Sequence, residues 1–131
     1  MSNLLALDVG EKRIGVAVAD SQVRIAIAYD TIEVDGSEIE QIAKLIGQED
    51  IDTLVIGYPR NQQGEPTAQT QFVEDFAAKL QDIAPEIMFQ DESLTSVKAE
   101  ELLNRQKKPY SKGDIDALAA SLILQDYLEQ L

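Results

Sequence analysis

Three short runs rich in Leu, Val, Ile and Ala, residues 3–9, 14–19 and about 25–34, open the chain, punctuated by Gly10, Gly15 and Asp20-Ser21. Apolar runs of this length bounded by turn formers read as strands, and strands on such short connections read as an antiparallel meander. The period then changes. Ser37 and Glu40 have capping-box spacing, and Ile39, Ile42, Ala43 and Ile46 recur at helical intervals, which predicts a helix over about 37–49 that ends near Gly47. Thr53-Leu54-Val55-Ile56 is a continuous apolar run, as expected of a strand buried on both faces.

From Gly57 to Pro66 turn formers are too frequent for a regular element, so this stretch reads as a long loop at a strand end. Phe72, Val73, Phe76, Ala77 and Leu80 resume helical spacing, and Ile87-Met88-Phe89 gives a short fifth strand after Pro85. Thr95 or Ser96 can cap a helix through about 107, and Ile115, Leu118, Ala119 and Leu122 mark a last helix. The order βββαβαβαα predicts an α/β fold with a mixed five-stranded sheet, three antiparallel strands followed by parallel ones, and helices on both faces.

Length and composition narrow the chemistry. At 131 residues the chain fits one domain over 1–131, too small for a cleft between two domains. With neither cysteine nor histidine, disulfides, thiolate zinc sites and an imidazole base are excluded. Any metal is then a hard, oxygen-bound ion, Mg²⁺ or Mn²⁺ rather than Zn²⁺. No leader pattern or membrane-length apolar run is present, so a soluble, cytoplasmic protein without membrane contact is expected. A net charge of -13, from 24 acidic and 11 basic residues, opposes a surface that coats nucleic acid broadly. Arg105, Lys107, Lys108 and Lys112 nevertheless fall in one stretch without an acid and form a local basic edge.

Active crevices of open α/β sheets lie outside the carboxyl ends of strands, where Asp8, Arg60 and Glu92 each follow an apolar run. Asp8 is flanked by Gly10 and Gly15, which would let a metal and a phosphate approach the backbone. Asp116 sits beside the core stripe of the last helix, with Ala119 and Ala120 on the following turn. Each carboxylate also has a structural reading: a hairpin Asp, acidity at a helix N-terminus beside Asp91, a first-turn Asp beside Asp114. Together they suit a site for two metal ions, which activates water without a histidine. Gly10, Lys12, Arg13, Arg60, Lys107 and Lys108 are the candidate substrate-binding residues, the cations as partners for phosphates.

Four segments then carry a family resemblance: Leu7 to Ala17, Val55 through Gly64, Asp91-Glu92-Ser93-Leu94-Thr95-Ser96, and Asp116 to Ala120. In order and spacing they resemble the YqgF (RuvX) family of RNase H-like nucleases over nearly the whole chain. The resemblance implies an RNase H-like fold and a metal-dependent nuclease in which Asp8, Glu92 and Asp116 are catalytic metal ligands. It implies trimming of the 5′ end of precursor 16S ribosomal RNA, on ribosomal precursor particles, or cutting of four-way DNA junctions like a Holliday junction resolvase. The RNA role is the favoured expectation, because paired junction incision needs a symmetric dimer and the acidic surface offers little duplex-wrapping charge; monomer and homodimer both stay open. Ser93 departs from the family's usual Arg and puts one substrate contact in doubt. Two other classes compete: an ATPase of the actin and sugar-kinase type, disfavoured by length, and a non-catalytic interaction module, disfavoured by the presence of all three carboxylates.

Overall fold

The computed structural model describes residues 3–59, 63–92, 95–106 and 109–131, with the side chains of residues 92 and 95–98 outside that description. The opening runs form β1 (Asn3–Val9), β2 (Arg13–Asp20) and β3 (Ile27–Glu33), and the chain continues through α1 (Glu38–Gln48), β4 (Thr53–Pro59), α2 (Ala68–Leu80), β5 (Ile87–Glu92), α3 (Thr95–Arg105) and α4 (Lys112–Glu129). The sheet order is β3-β2-β1-β4-β5. The meander pairs antiparallel, with Asp8 opposite Gly15, while β4 adds to the other side of β1 in parallel and β5 to β4 likewise. This is the predicted mixed sheet.

Period-two alternation sorts the side chains of β1 onto two cores. Leu5, Leu7 and Val9 face α1 and α2, packing with Ile42, Ile46, Val73, Phe76 and Leu80. Leu4 and Ala6 face the opposite way and pack with Val55, Ala17 and the α4 residues Ala120, Ile123, Leu124 and Leu128. Most of these side chains are fully buried, and each large aliphatic one stabilises the fold by about 1.5–3 kcal/mol relative to exposure. The helix α4 crosses every strand of the sheet, and α3 packs against α4. Among the described residues no helix is long and apolar enough to cross a membrane.

Several local expectations are corrected. The Ser37 capping box does not form: Ser37 makes no side-chain cap, and its amide and hydroxyl donate to Asp35 Oδ1 instead. Capping boxes close on α2, between Thr67 and Thr70, and on α4, between Ser111 and Asp114. Gly57, Tyr58 and Pro59 belong to β4 rather than to a loop, because β5 offers them the ladder partners Gln90, Asp91 and Glu92. Pro59 is tolerated at the last strand position, beyond the end of the β1–β4 pairing at Ile56. Its pairing extends β5 to Glu92, past the predicted end at Phe89. The helix α3 starts at Thr95 and ends at Arg105, which leaves Ser96 inside it; the predicted side-chain cap lies outside the described residues.

Candidate active site

The site is built where β1, the β1–β2 turn and α4 meet. Alternation continues the row Leu4, Ala6 to Asp8, so the carboxylate leaves the strand on the face that α4 covers. Across the ladder Asp8 pairs with Gly15, whose missing Cβ leaves bare backbone beside it. Into that gap comes α4: a Cβ on Gly15 would lie 1.9 Å from the Asp116 carbonyl oxygen and 3.0 Å from the Ala117 nitrogen. Gly15 therefore adjoins the backbones of both aspartates, one through strand pairing and the other through helix contact.

For both Gly10 and Gly15 the structure gives a packing reason for the missing Cβ. Gly15 admits the backbone of α4. Gly10 admits the carbonyl of Arg13, which would stand 2.7 Å from an added Cβ and accepts the Gly10 amide at 3.0 Å. Both glycines close the protein on itself and so shape the site indirectly.

Asp8, Val9, Gly10, Arg13, Pro59, Gln69 and Asp116 line a single cavity of about 230 Å³. Within it Arg13 Nε donates to Asp116 Oδ2 at 2.6 Å, with the two side chains 29% and 22% exposed. The hydrogen bond to Asp116 is the main cause of a raised Arg13 pKa, with the Asp116 and Glu33 charges adding and desolvation opposing. On the far side Gln69, in the first turn of α2, donates Nε2 to the Val9 carbonyl at 3.4 Å, and Thr70 Oγ1 donates to the Pro59 carbonyl. Sequence reasoning missed Gln69; the signal was Thr67, whose capping box starts α2 beside the strand ends.

The remaining candidates separate from this cluster. Glu92 is brought near by its backbone, which pairs with that of Pro59 at the cavity wall. Its side chain lies outside the described residues, as do Arg60, Ser93, Lys107 and Lys108. Lys12 is exposed and is not among the cavity residues; its carbonyl accepts the Val34 amide at 3.0 Å. Asp91 lines a different hollow with Tyr58, Glu74 and Phe89. Among the described residues no three carboxylates gather closely enough to hold a metal, and Asp8 and Asp116 are the two that share a cavity with a cation. A larger groove of about 580 Å³ runs beside Tyr29, Thr31, Tyr110 and Asp114, but neither Asp8 nor Asp116 lines it. Charged groups from separate elements converge on the smaller cavity, which makes it the candidate site.

A family model described as RuvX, Holliday junction resolvase, matches residues 2–130. A relative from Chloroflexus aurantiacus, named "Putative pre-16S rRNA nuclease", is 46% identical over 96% of this chain and 86% of its own length. One from Sulfurihydrogenibium sp. with the same name is 41% identical over 100% and 92%. In fold the chain is similar to the Holliday junction resolvase of fowlpox virus, with a TM-score of 0.61, 13% identity and coverage of 98% and 99% of the two chains. It is also similar to RuvC of T. thermophilus bound to a Holliday junction substrate, with a TM-score of 0.58, 12% identity and coverage of 98% and 94%. At such identities the likeness is one of fold, and that fold is RNase H-like.

Proposed function

We propose, for a chain that belongs to the RuvX family, a single nuclease domain that hydrolyses phosphodiester bonds in nucleic acid with the help of divalent metal. The observation that carries this reading is the convergence of Asp8 and Asp116, from a strand end and a helix, on one cavity. Glu92 is assigned as the third ligand because its backbone is paired with the cavity residue Pro59.

The donor set fits Mg²⁺ or Mn²⁺. Both described ligands are carboxylates, hard oxygen donors that leave most of an octahedral shell to water and substrate. A guanidinium already rests on Asp116, so the cavity stabilises positive charge. One or two such ions, when bound, supply an activated water and neutralise charge on the leaving oxygen. The chain's own residues do the rest. Asp8 and Asp116 would hold the metal from two rigid elements, Gln69 ties α2 to the β1 end, and Arg13, in the same cavity, is assigned to a phosphate oxygen. Lys12, Arg60, Lys107 and Lys108 are assigned to holding the nucleic-acid backbone.

The favoured substrate is precursor 16S ribosomal RNA, trimmed at its 5′ end in the cytoplasm. Its support is the name shared by relatives 46% and 41% identical. A branched DNA junction is the second reading, favoured by the description of the family model. Purified protein with Mg²⁺ or Mn²⁺, given a precursor 16S transcript and a four-way junction in parallel, is expected to cut the transcript. Asp8→Asn, shown folded by circular dichroism, is expected to cut neither. Cleavage that survives this substitution overturns the metal reading, and cleavage of the junction alone reverses the substrate choice.

A further inference from the structure

We propose that Arg13 is a positioning residue that competes with metal for the Asp116 carboxylate, so that metal binding frees its guanidinium for a substrate phosphate. The proposal rests on the metal-site reading above and adds a coupling between the two ligands of that site.

The geometry sets Arg13 and a metal in competition. Arg13 Nε is 2.6 Å from Asp116 Oδ2, a short charge-assisted contact that occupies one oxygen of the carboxylate. Asp8 lines the same cavity, so a cation held by Asp8 and Asp116 would enter the space that the guanidinium already lines. Two positive groups in one small cavity repel each other. The repulsion is relieved when the Arg13 side chain swings away.

Its backbone stays where it is. The Arg13 carbonyl accepts the Gly10 amide, the neighbouring Lys12 carbonyl accepts the Val34 amide, and Arg13 pairs with Glu33 across β2–β3. The side chain, by contrast, is 29% exposed at an open cavity and has several rotatable bonds beyond the fixed Cα. Rotation therefore carries the guanidinium off Asp116 while keeping it at the cavity rim. Its planar fork of donors then suits a phosphate, which a metal at Asp8 and Asp116 would draw to the same place. Metal loading and phosphate capture become one linked event, with Arg13 passing from the carboxylate to the substrate.

The test is Mn²⁺ binding without substrate, followed by electron paramagnetic resonance of the free ion. Arg13→Gln is expected to bind Mn²⁺ roughly two- to fivefold more tightly than wild type, the range set by a partly exposed ion pair. Arg13→Lys, which retains the charge without the fork, is expected to fall between them, and Lys12→Gln, which removes an adjacent charge that does not touch Asp116, is expected to change the affinity less. In the Asp116→Asn background the effect of Arg13→Gln is expected to vanish, as a double-mutant cycle requires when the two residues act through their contact. A merely structural Arg13 predicts the opposite sign, because loosening the hairpin weakens the site. Unchanged or weaker Mn²⁺ binding in a folded Arg13→Gln protein, or equal tightening by Lys12→Gln, overturns the proposal. A wild type with no Mn²⁺ binding that Asp8→Asn removes overturns the metal reading itself, and the coupling with it.

Discussion

Gly15 of β2 and Asp116 of α4 are in backbone contact, so close that a methyl group on Gly15 would lie 1.9 Å from the Asp116 carbonyl oxygen. The contact sets the height of α4 above the sheet at the point where the helix delivers its carboxylate. Substituting Gly15→Ala must lift or tilt the helix, since the obstructing atoms are backbone and cannot rotate away. The expected cost is about 1–3 kcal/mol or somewhat more, as for overpacked cores. Thermal melts should show a loss on the order of 4 °C for each kcal/mol. Cleavage should fall further than stability, because the same shift separates Asp116 from Asp8.

Gly47 offers the opposite case. It lies within α1, and nothing stands within 4 Å of the Cβ it lacks. Its backbone freedom in the unfolded chain is lost on folding with no packing gain in return. Gly47→Ala is therefore expected to stabilise the protein by roughly 0.5–1 kcal/mol and to leave Mn²⁺ affinity alone. A lower melting temperature would contradict this account of the site.

The contrast between these glycines shows where sequence reasoning reaches. The strands at 3–9 and 14–19 were legible because apolar alternation is a local property, and the structure bounds them at Asn3–Val9 and Arg13–Asp20. Gly15 reads as a local breaker, yet its reason is a helix that arrives about a hundred residues later. Gly57 to Pro59 read as a loop by composition and form a strand because β5 pairs with them. Arg13 was legible as a cation near a strand end, but its partner Asp116 is 103 residues away, beyond any spacing rule. Asp8 and Asp116 could be found separately, the one at a strand end and the other beside a helical core stripe. Their shared cavity depends on how α4 packs.

Two serines that look alike as caps should behave differently. Ser111 Oγ accepts the Asp114 amide at 3.2 Å while Asp114 Oδ2 accepts the Ser111 amide at 2.9 Å, so both orphan donors at the start of α4 are satisfied. Ser111→Ala is expected to cost about 0.5–2 kcal/mol and to lower activity by fraying the helix that carries Asp116. Ser37→Ala removes no cap, because the Ser37 hydroxyl makes none. Paired urea melts of the two variants measure the difference directly.

Ser37 acts instead on Asp35. Its hydroxyl donates to Asp35 Oδ1 at 2.5 Å and its amide at 3.0 Å, the hydroxyl being the larger cause of an Asp35 pKa held below the usual carboxylate value. A depressed folded-state pKa stabilises the fold above the unfolded-state value, and that contribution is lost as pH falls through the folded-state pKa. Carboxyl NMR titration should place Asp35 below the usual value in wild type and closer to it in Ser37→Ala. The gap in melting temperature between the two proteins should narrow on acidification through that window. An Asp35 titration unmoved by Ser37→Ala would remove the hydroxyl as the cause.

Arg24 holds the other end of α4. Its backbone is left-handed, with φ at 60°, and its Nη2 donates to the Leu128 carbonyl at 2.5 Å and the Leu131 carbonyl at 3.1 Å. The C-terminal end of a helix is its negative pole, so a guanidinium there is favourable, and it adds a second donor to the Leu128 carbonyl, which also accepts the Leu131 amide at 3.3 Å. Arg24→Ala loses the clamp and keeps the unfavourable φ, whereas Arg24→Gly loses the clamp and relieves it. The glycine variant should therefore be the more stable of the two by about 0.5–1 kcal/mol, although glycine is ordinarily the worse residue. Hydrogen exchange at the final turn of α4 should accelerate in both, since both expose the same carbonyls. If alanine matched glycine in stability, the left-handed backbone at Arg24 would have relaxed without cost, and the clamp alone would account for the residue.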